Sequence, residues 1–496
     1  MHDSCLIFKT EKRNSYALSK HKNVLTYIHP YLAEVIEFHL NGVDIYNDNN
    51  IKSHCTNPEE ILYYRDKFLY LEKMGILGND ASSPTKQLKI ITPENVEYSF
   101  LNTQQIVFEI TEKCNMQCGY CVYGEHYNAN NERSQKSLSL ETINLMLDYI
   151  LSRNDNRNRD KLCVSFYGGE PLLEFSTIKK VIEYITHKYP LAKIEWRITT
   201  NATLLTGDIL DFLIEKDFKI LVSLDGNESN NSLRVFKNGN PTFDIIMNHL
   251  QDLKKKHPEF FQNNINFNAV LHAKNSVSEI YDFFNSTFGK KASIGELTTI
   301  NTDKNDFAFS KMQNSSIKSH SANLKSYFDS SPQKKSLLSF LRSTTDNFNF
   351  NFSDLLIHSE EDNKSIESII PTGTCFPFSK KIFITASGDI KPCEKIPLQF
   401  SLGSINERGI LIDFENISNF YNSLYSKVWN NCSKCKIMKN CSICLFFIND
   451  ILCSNTTIKC QDFHDTLSYG RQVSYLVSLL EENYNHYKIC TNTVLE

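Results

Sequence analysis

The chain has 496 residues, of which 41% are hydrophobic and 22% are charged, which is enough for two to four globular domains. Its formal net charge of −4 gives no support to binding of nucleic acid or of an anionic membrane surface. No apolar run approaches the ~18 residues of a membrane helix, and no secretory segment is visible, so we expect a cytoplasmic protein.

The fifteen cysteines are the most informative part of the composition. Three lie between Cys114 and Cys121, and eight lie between Cys375 and Cys460. Their odd number, the length of the chain and the missing signal peptide argue against a disulfide framework. In a reducing cytosol, we expect such clustered thiols to bind a metal ion or an iron–sulfur cluster.

Residues 1–100 are predicted to form a small α/β domain. Segments 4–11 and 14–29 have the composition of short strands, and segment 30–40 has apolar residues at helical spacing. Asn57, Pro58 and Glu60 mark a helix start, because Asn caps, Pro fits the first turn and Glu occupies the capping-box position. Segment 87–100 is predicted to close the domain as a strand or a hairpin.

Residues 101–300 alternate between strands and helices, which predicts βαβ crossovers and a parallel sheet. The predicted strands cover 104–110, 161–168, 193–200, 218–225, 264–271 and 292–300. The predicted helices cover 139–152, 174–189, 206–216, 241–256 and 275–288. Six units are visible where a complete barrel needs eight. We therefore predict an α/β fold whose centre is a partial (β/α)6 TIM-like barrel.

The remainder of the chain is less regular. Residues 301–370 are polar and are predicted to be helices with long loops that bridge two domains. In residues 371–496 the periodicity fades and cysteines dominate. We expect this last domain to be held together by metal more than by an apolar core.

Cys114, Cys118 and Cys121 have the spacing CxxxCxxC and directly follow the first predicted barrel strand. Loops at the carboxyl ends of barrel strands are where active sites lie. A tetrahedral zinc site needs four protein ligands, and this stretch offers three. Three thiolates on a 4Fe–4S cluster leave one iron that a small molecule can chelate, so the stretch predicts a cluster with an open position.

With Tyr120 as the aromatic residue before the last cysteine, this stretch closely resembles the signature of radical S-adenosylmethionine (radical SAM) enzymes. Further motifs of that family stand at the next three predicted strand ends, and the resemblance covers roughly residues 104–300. It implies contacts to the cofactor from Gly168, Gly169 and Glu170 at the methionine amino group, from Thr200 and Asn201 at the ribose, from the element that contains Ser223 and Asp225, and from Arg234 at the carboxylate. Taken singly, each motif is also explained by a tight turn or by a solvated side chain.

The resemblance also implies the chemistry. A reduced cluster passes one electron to the sulfonium of S-adenosylmethionine, and the 5′-deoxyadenosyl radical that forms removes a hydrogen atom from the substrate. The protein supplies position, redox tuning and exclusion of water. The implied partner is an electron donor such as flavodoxin or ferredoxin.

The C-terminal cysteines resemble the SPASM domain that many radical SAM enzymes carry. The resemblance implies two auxiliary 4Fe–4S clusters, one held by Cys375, Cys393 and Cys444 and one held by Cys432, Cys435, Cys441 and Cys460. Cys453 is an alternative to Cys460, and the first auxiliary cluster has one ligand fewer than in fully ligated members. The alternative to both clusters is a zinc ribbon made of the two CxxC pairs.

Glu394 directly follows Cys393. Similar anaerobic sulfatase-maturing enzymes carry at this place a carboxylate that accepts the proton of the substrate. The resemblance therefore makes Glu394 the candidate catalytic base. The alternative interpretation is a solvated surface carboxylate.

Residues 1–100 resemble the winged-helix elements with which peptide-maturing SPASM enzymes bind the leaders of ribosomally made precursor peptides. An exposed strand edge there could pair with an extended leader, whereas the alternative is a structural cap on the barrel. We therefore predict a radical SAM maturase that installs a thioether or carbon–carbon cross-link in a precursor peptide. The alternatives are a sulfatase maturase, a peptide epimerase, a small-molecule radical enzyme and a zinc-stabilised binding scaffold.

Overall fold

The structure is a computed structural model that describes residues 5–19, 24–55, 57–74, 77, 85–127, 135–153, 161–298, 302, 306–315, 332–344, 366–438, 441–448, 451–452, 458, 460 and 462–491. The chain divides into two compact units, and each unit is made of separate stretches of the sequence. The first unit takes Met1–Ile90, Pro332–Thr374 and Tyr421–Glu496, and the second takes Ile91–Ser331 and Cys375–Phe420. No helix in the described ranges is long and apolar enough to cross a membrane.

The helices and strands alternate through most of the chain. The strands are β1 (Cys5–Lys9), β2 (Ser15–Ser19), β3 (Val24–Ile28), β4 (Thr85–Leu88), β5 (Gln105–Thr111), β6 (Leu162–Gly168), β7 (Ile194–Thr200), β8 (Lys219–Ser223), β9 (Ile265–Leu271), β10 (Ala292–Glu296), β11 (Ile366–Ile369), β12 (Ile382–Ile384), β13 (Asp389–Lys391), β14 (Gly403–Asn406) and β15 (Gly409–Ile412). The helices are α1 (Pro30–Leu40), α2 (Asp48–Ser53), α3 (Pro58–Lys73), α4 (Pro93–Leu101), α5 (Leu140–Arg153), α6 (Phe175–Lys188), α7 (Gly207–Glu215), α8 (Phe243–Lys256), α9 (Pro258–Asn264), α10 (Val277–Phe288), α11 (Phe307–Met312), α12 (Pro332–Thr344), α13 (Phe414–Cys432), α14 (Thr466–Glu482) and α15 (Asn485–Thr491).

The second unit is built on one large sheet. Within the described residues this sheet has ten strands in the order β10-β9-β8-β7-β6-β5-β12-β13-β14-β15. β5 to β10 are parallel and are connected by α5 to α10, which confirms the six predicted strand–helix units. β12 adds parallel to β5, with Ile382 opposite Ile106, and β13, β14 and β15 continue the sheet antiparallel.

The parallel strands differ in how far they are buried, and β7 and β9 alternate between buried and more exposed residues. β5 is buried along almost its whole length. Across the neighbouring strands, the ring of Trp196 stacks on Phe166 and Phe218 with centroids 6.2 Å and 6.4 Å apart. This packing holds the carboxyl ends of β5 to β8 at one edge of the sheet, where the predicted motifs stand.

The first unit contains an antiparallel meander in the order β1-β2-β3, followed by α1, α2 and α3. Ile36, Ile51 and Phe68, each at most 1% exposed, belong to its core. α3 begins as predicted, since Pro58 lies in its first turn and the Asn57 side chain accepts from the backbone N–H of Glu60. The sequence therefore reads this helix start correctly from local capping chemistry alone.

Helix α14 packs against β1 within the same unit. The Glu11 backbone N–H donates to Ser478 Oγ at 3.0 Å. The Glu481 carboxylate accepts from Asn14 Nδ2 and from the Tyr16 hydroxyl, both at 2.8 Å. The C-terminal helix is thus joined to the N-terminal meander by directed hydrogen bonds.

The expectation that segment 87–100 forms a strand or hairpin is wrong for most of its length. β4 ends at Leu88, and α4 begins at Pro93. Thr92 and Asn95 form a reciprocal capping box, and proline at the first helical position has a suitable φ angle. These local signals favour a helix over a second strand.

Residues beyond 371 contain more regular structure than expected. β12 to β15 join the large sheet, and α13 buries Tyr421, Leu424 and Tyr425 to 1% exposure or less. An apolar core therefore contributes to this part of the chain. The predicted bridge 301–370 lies mostly outside the described residues, which there include α11, α12 and β11.

Candidate active site

The cysteine loop, residues 112–127, follows the carboxyl end of β5. The segment after β8 holds its backbone, because Gln117 N donates to Val235 O at 2.8 Å and Gly119 N donates to Leu233 O at 2.9 Å. Cys114 is buried, and Cys118 and Cys121 are half-buried. Burial raises the pKa of the Cys118 thiol to about 12, and the thiols of Cys114 and Cys121 are near enough to add to that rise. The loop therefore brings the three candidate ligands together.

Gly168 and Gly169 bring the end of β6 against this loop. Gly169 N donates to Thr111 O and Glu170 N donates to Lys113 O, both at 2.8 Å. Gly168 has φ +146°, which side chains disfavour, and a β-carbon on Gly169 would lie 2.6 Å from the carbonyl carbon of Lys113. Two glycines are needed because the backbones approach so closely, directly before the first cysteine.

Glu170 joins the ends of β6 and β7. Its side chain is completely buried and accepts from Thr200 Oγ1 at 2.8 Å, from Asn201 N at 2.8 Å and from Leu172 N at 3.1 Å. Burial raises the pKa of Glu170 to about 7, and the hydrogen bonds from the three donors oppose that rise. Both carboxylate oxygens are engaged, so Glu170 orients its neighbours at the strand ends.

Asn201 connects β7 to the cysteine loop. Its Nδ2 lies 4.0 Å from Cys114 Sγ and donates to Asn115 Oδ1 at 2.9 Å. Asn115 Nδ2 in turn donates to Thr203 Oγ1 at 2.8 Å, and that hydroxyl donates to Asn201 Oδ1 at 2.6 Å. This closed set of hydrogen bonds fixes the loop beside its first cysteine.

Asp225 and Arg234 form a buried ion pair just beyond β8, whose last residue is the half-buried Ser223. Arg234 Nη2 donates to Asp225 Oδ1 at 3.0 Å. Tyr120 donates its hydroxyl to Oδ2 of the same carboxylate, and His272 Nε2 lies 3.6 Å from that oxygen. Burial alone would raise the pKa of Asp225, but the charge of Arg234 outweighs it and holds that pKa below its ordinary value.

A second set of buried polar groups lies in the interior of the second unit. Tyr123 of the cysteine loop donates to Glu109 on β5, and the other oxygen of Glu109 accepts from Ala386 N at 3.0 Å. Burial raises the pKa of Tyr167, and the charges of Glu394 and Cys121 act in the same direction. Tyr167 therefore lies within electrostatic reach of both the cysteine loop and Glu394.

Glu394 is paired with Lys381, whose Nζ lies 3.2 Å and 3.1 Å from its two carboxylate oxygens. The Cys393 thiol lies 3.4 Å from Glu394 Oε2. Burial acts to raise the pKa of Glu394, but the Lys381 charge dominates and lowers it. The carboxylate is therefore ionised at neutral pH, and it is half-buried where sequence reasoning also allowed a solvated surface side chain.

Four C-terminal cysteines line one pocket in the first unit: Cys432, Cys435, Cys441 and Cys460. Burial raises the pKa of Cys432 to about 12, and the other three thiols add to it. The wall includes Val428, Met438, Ile448 and Ile458, so the thiols face apolar surroundings. The His464 backbone N–H lies 3.5 Å from Cys435 Sγ.

Among the described residues, no three His, Cys, Asp or Glu side chains converge closely enough to hold a single metal ion. The ligands of a 4Fe–4S cluster each bind a different iron and stand farther apart than the ligands of one ion.

The remaining predicted ligands fall in different units of the chain. Cys375 is exposed and Cys393 is half-buried, and both belong to the second unit. Cys444 is half-buried and belongs to the first unit. Their joint ligation of one cluster stays a prediction, and Cys453 lies outside the described residues.

Sequence reasoning missed several residues that support the site. His272, Glu109 and Tyr123 touch groups of the cysteine loop or of its ion pair, and Lys381 holds Glu394. One signal was available: Glu109 is a charged residue inside an otherwise apolar strand, which calls for a buried partner. His272 directly follows β9, at the same edge of the sheet as the other motifs.

The residues at this edge fit a three-cysteine cluster with S-adenosylmethionine. Three thiols converge there without a fourth protein ligand from the same loop, and a buried cation stands beside them. Arg234 Nε lies 3.0 Å from Asp225 Oδ2 but makes no well-formed hydrogen bond within the described part of the chain. The guanidinium thus keeps donor capacity for an anionic ligand.

Comparison with known proteins agrees with this geometry. Residues 108–285 match the model of the Radical SAM superfamily. The radical SAM cyclopropyl synthase TigE of Paramaledivibacter caminithermalis is 27% identical over 184 residues, which cover 36% of each chain. A cysteine-type anaerobic sulfatase-maturating enzyme of Clostridium perfringens is 25% identical over 340 residues, which cover 65% of this chain and 83% of that enzyme.

A solved structure described as native anSMEcpe with bound AdoMet and Kp18Cys peptide has a TM-score of 0.50 and 18% identity, and it covers 78% of this chain and 99% of that one. This likeness concerns the fold. The chain spans less than half the length of the first curated relatives it matches, between 36% and 46% of each. The match to the Radical SAM superfamily model spans residues 108–285, which include the cysteine loop and the strand ends that hold it.

Proposed function

We propose that this chain is a radical SAM maturase that removes a hydrogen atom from a ribosomally made precursor peptide and installs a thioether or carbon–carbon cross-link. The observation that carries the proposal is the convergence of Cys114, Cys118 and Cys121 at the carboxyl end of β5. The neighbouring strand ends add Glu170 and Asn201, which hold the loop from the side. Such convergence at one edge of a parallel sheet is typical of an active site.

The three thiols would hold the cluster, and Ser223 at the end of β8 and Arg234 after it would contact S-adenosylmethionine. When bound, the cluster and S-adenosylmethionine would together supply reductive cleavage and hydrogen-atom abstraction. The chain itself positions the bound groups and excludes water from them. Cys114 and Tyr120 are 9% and 6% exposed, so the inner side of the loop excludes water.

The cavity lined by Cys432, Cys435, Cys441 and Cys460 supports an auxiliary 4Fe–4S cluster. The four thiols interact with one another, and the apolar wall lowers the local dielectric. An auxiliary cluster can receive the electron that remains when a peptide loses one hydrogen atom and one proton. Oxidative cross-linking requires such an acceptor.

Glu394 is proposed as the base that takes the proton from the substrate. It is ionised, because Lys381 holds its pKa low, and Tyr167 lies within electrostatic reach of both Glu394 and Cys121. Glu394 and Cys121 are both half-buried residues of the second unit. A low pKa makes Glu394 a weak base, which suits a substrate radical whose acidity is raised by oxidation.

The meander of the first unit supports a leader peptide as the recognised part of the substrate. The edge formed by β1 is occupied by α14, and β3 forms the other edge of the described sheet. Tyr27 on β3 is 62% exposed. An extended peptide could add to β3 by strand pairing, which satisfies its backbone groups.

The second candidate function is formylglycine formation in a sulfatase. The match to the Clostridium perfringens sulfatase-maturating enzyme covers 83% of that enzyme, which favours this candidate. Both functions share the cluster chemistry and differ in the peptide. A cysteine-containing sulfatase peptide and a leader-bearing precursor therefore separate them.

The test uses anaerobically reconstituted full-length protein with a reductant. We expect cleavage of S-adenosylmethionine to 5′-deoxyadenosine, and a mass loss of two hydrogens in the precursor peptide that is encoded nearby and coexpressed. Changing Cys114, Cys118 and Cys121 together to alanine should abolish both. Cys163→Ala, within β6 and outside the loop, is the matched control and should retain both.

The outcomes separate the candidates. Cofactor cleavage with an unchanged precursor peptide and an oxidised sulfatase peptide supports the second candidate. Zinc in place of iron and labile sulfide, without cofactor cleavage, supports a binding scaffold and overturns the proposal.

A further inference from the structure

The carboxylate of Asp225 contacts three segments of the chain: the cysteine loop, the turn after β8 and the end of β9. Oδ1 accepts from Arg234 Nη2 at 3.0 Å and from Val270 N at 2.9 Å. Oδ2 accepts from the Tyr120 hydroxyl and lies 3.0 Å from Arg234 Nε. His272 Nε2 stands 3.6 Å from the same oxygen, and its ring is completely buried. One carboxylate thus links the cysteine loop, the turn after β8 and β9.

This coordination leaves Asp225 little capacity for a further ligand. A carboxylate offers about four lone-pair positions. Arg234, Val270, Tyr120 and His272 surround its two oxygens, and the side chain is 0% exposed. An anionic group would in addition be repelled by it.

Arg234 differs from Asp225 in this respect. A guanidinium carries five N–H groups, and Asp225 faces only those on Nε and Nη2. The remaining edge, which contains Nη1, is not engaged by Asp225 and can donate to another acceptor. The guanidinium carbon lies 5.4 Å from the centre of the Tyr120 ring, and its charge acts on the Cys118 thiol. The guanidinium therefore lies near the candidate cluster ligands.

We propose that Asp225 is a positioning residue that holds Arg234 and Tyr120 so that the unused edge of the guanidinium receives the carboxylate of S-adenosylmethionine. His272, which directly follows β9, supports Asp225 through its contact with Oδ2. This inference rests on the proposed function, since it requires the cofactor beside the cysteine loop. It differs from a direct cofactor contact of Asp225, which the family resemblance implied.

The inference predicts a loss that depends on the carboxylate of the ligand. Asp225→Asn keeps the shape of the side chain but turns one acceptor oxygen into a donor, which then faces the donors of Arg234 or Tyr120. The guanidinium loses its counter-charge and its fixed orientation. The variant should bind a ligand with a carboxylate less tightly, and its affinity for a ligand without one should not change.

The experiment measures binding by calorimetry in anaerobically reconstituted protein. S-adenosylhomocysteine carries the amino-acid carboxylate, and 5′-methylthioadenosine lacks the whole amino-acid part. For Asp225→Asn we expect an affinity for S-adenosylhomocysteine that is lower by about tenfold or more, equivalent to about 1.4 kcal/mol. The affinity for 5′-methylthioadenosine should change by less than about twofold, equivalent to about 0.4 kcal/mol.

Two further variants complete the test. Tyr120→Phe removes only the hydroxyl donor and should give a smaller loss, again confined to S-adenosylhomocysteine; it decides the question if Asp225→Asn fails to fold. Asp211→Asn, exposed on α7, is the matched control and should bind both compounds like the parent.

Each result has one meaning. An equal loss for both compounds, or no loss for either, overturns the positioning role while leaving the proposed function in place. A parent protein that binds neither compound overturns the proposed function and this inference with it.

Discussion

Replacing Gly169 with alanine tests whether the backbone contact between β6 and the cysteine loop sets the position of the first cysteine. The added β-carbon would lie 2.6 Å from the carbonyl carbon of Lys113 and 2.7 Å from Glu112 O. It would also overlap the Lys113 carbonyl oxygen. These neighbours are backbone atoms, so no side-chain rotation can relieve the contact, and Lys113 directly precedes Cys114.

The size of the effect follows from the distances. The Lys113 carbonyl carbon must retreat by about 0.8 Å to reach the 3.4 Å of an ordinary contact. Such overpacking costs about 1–3 kcal/mol. The shift also weakens the hydrogen bond from Glu170 N to Lys113 O, now 2.8 Å, which adds about 1 kcal/mol. We therefore expect Gly169→Ala to lose about 2–4 kcal/mol in the free energy of unfolding of the second unit.

Two measurements check this prediction. The melting temperature should fall, and the electron paramagnetic resonance signal that responds to added S-adenosylmethionine should weaken after anaerobic reconstitution, because Cys114 is displaced. Gly295→Ala is the matched control, since a β-carbon there meets nothing within 4 Å. A Gly169→Ala protein with the melting temperature and the cofactor-sensitive signal of the parent would refute the reasoning.

Three further predictions concern buried or paired carboxylates. Glu170 has a raised pKa of about 7, so its contribution to stability is fully present below pH ~4.5 and is lost as the pH rises through ~7. In chemical unfolding, the parent should lose up to about 3 kcal/mol relative to Glu170→Gln over that interval. A parent that gains stability relative to this variant as the pH rises would contradict the prediction. Glu481→Ala removes the acceptor of Asn14 and Tyr16, so the first unit should lose about 1–2 kcal/mol and melt earlier, whereas an unchanged melting temperature argues against a link through α14. Lys381→Met removes the charge that keeps the pKa of Glu394 low, so the rising limb of the pH–rate profile for peptide modification should move to higher pH; a profile that stays in place excludes Glu394 as the base.

The parallel strands could be predicted from the sequence because their signal is local. Each has five to seven residues, most contain several apolar side chains, and an amphipathic helix follows most of them. The antiparallel extension could not be predicted in this way. β12 and β13 have three residues each, which is too short for a period, and β12 acquires its partner across more than 270 residues, with Ile382 opposite Ile106. Pairing over that distance depends on the whole fold.

Some residues of the candidate site could likewise be predicted from local sequence patterns, and others could not. The cysteine spacing and the glycine pair are local patterns, so the sequence marks them directly. The partners of Asp225 come from positions 120, 234, 270 and 272, and only the folded sheet brings them together. Lys381 lies thirteen residues before Glu394 in sequence, and β12 and β13 lie between the two, so no helical or strand period relates them.

Three separate strand ends hold the cysteine loop. This arrangement explains why many residues of the family-like motifs contact the loop itself. On the β6 side the Glu170 N–H donates to the Lys113 carbonyl, on the β7 side Asn201 donates to Asn115, and the turn after β8 accepts from the N–H groups of residues 117 and 119. Each contact reaches a different point of the loop, so the three together define its path. A 4Fe–4S cluster needs its three thiolates in a set geometry before the fourth iron can serve as an open site. The sheet supplies that geometry, and substitutions at these strand ends should therefore act on cluster assembly before they act on turnover.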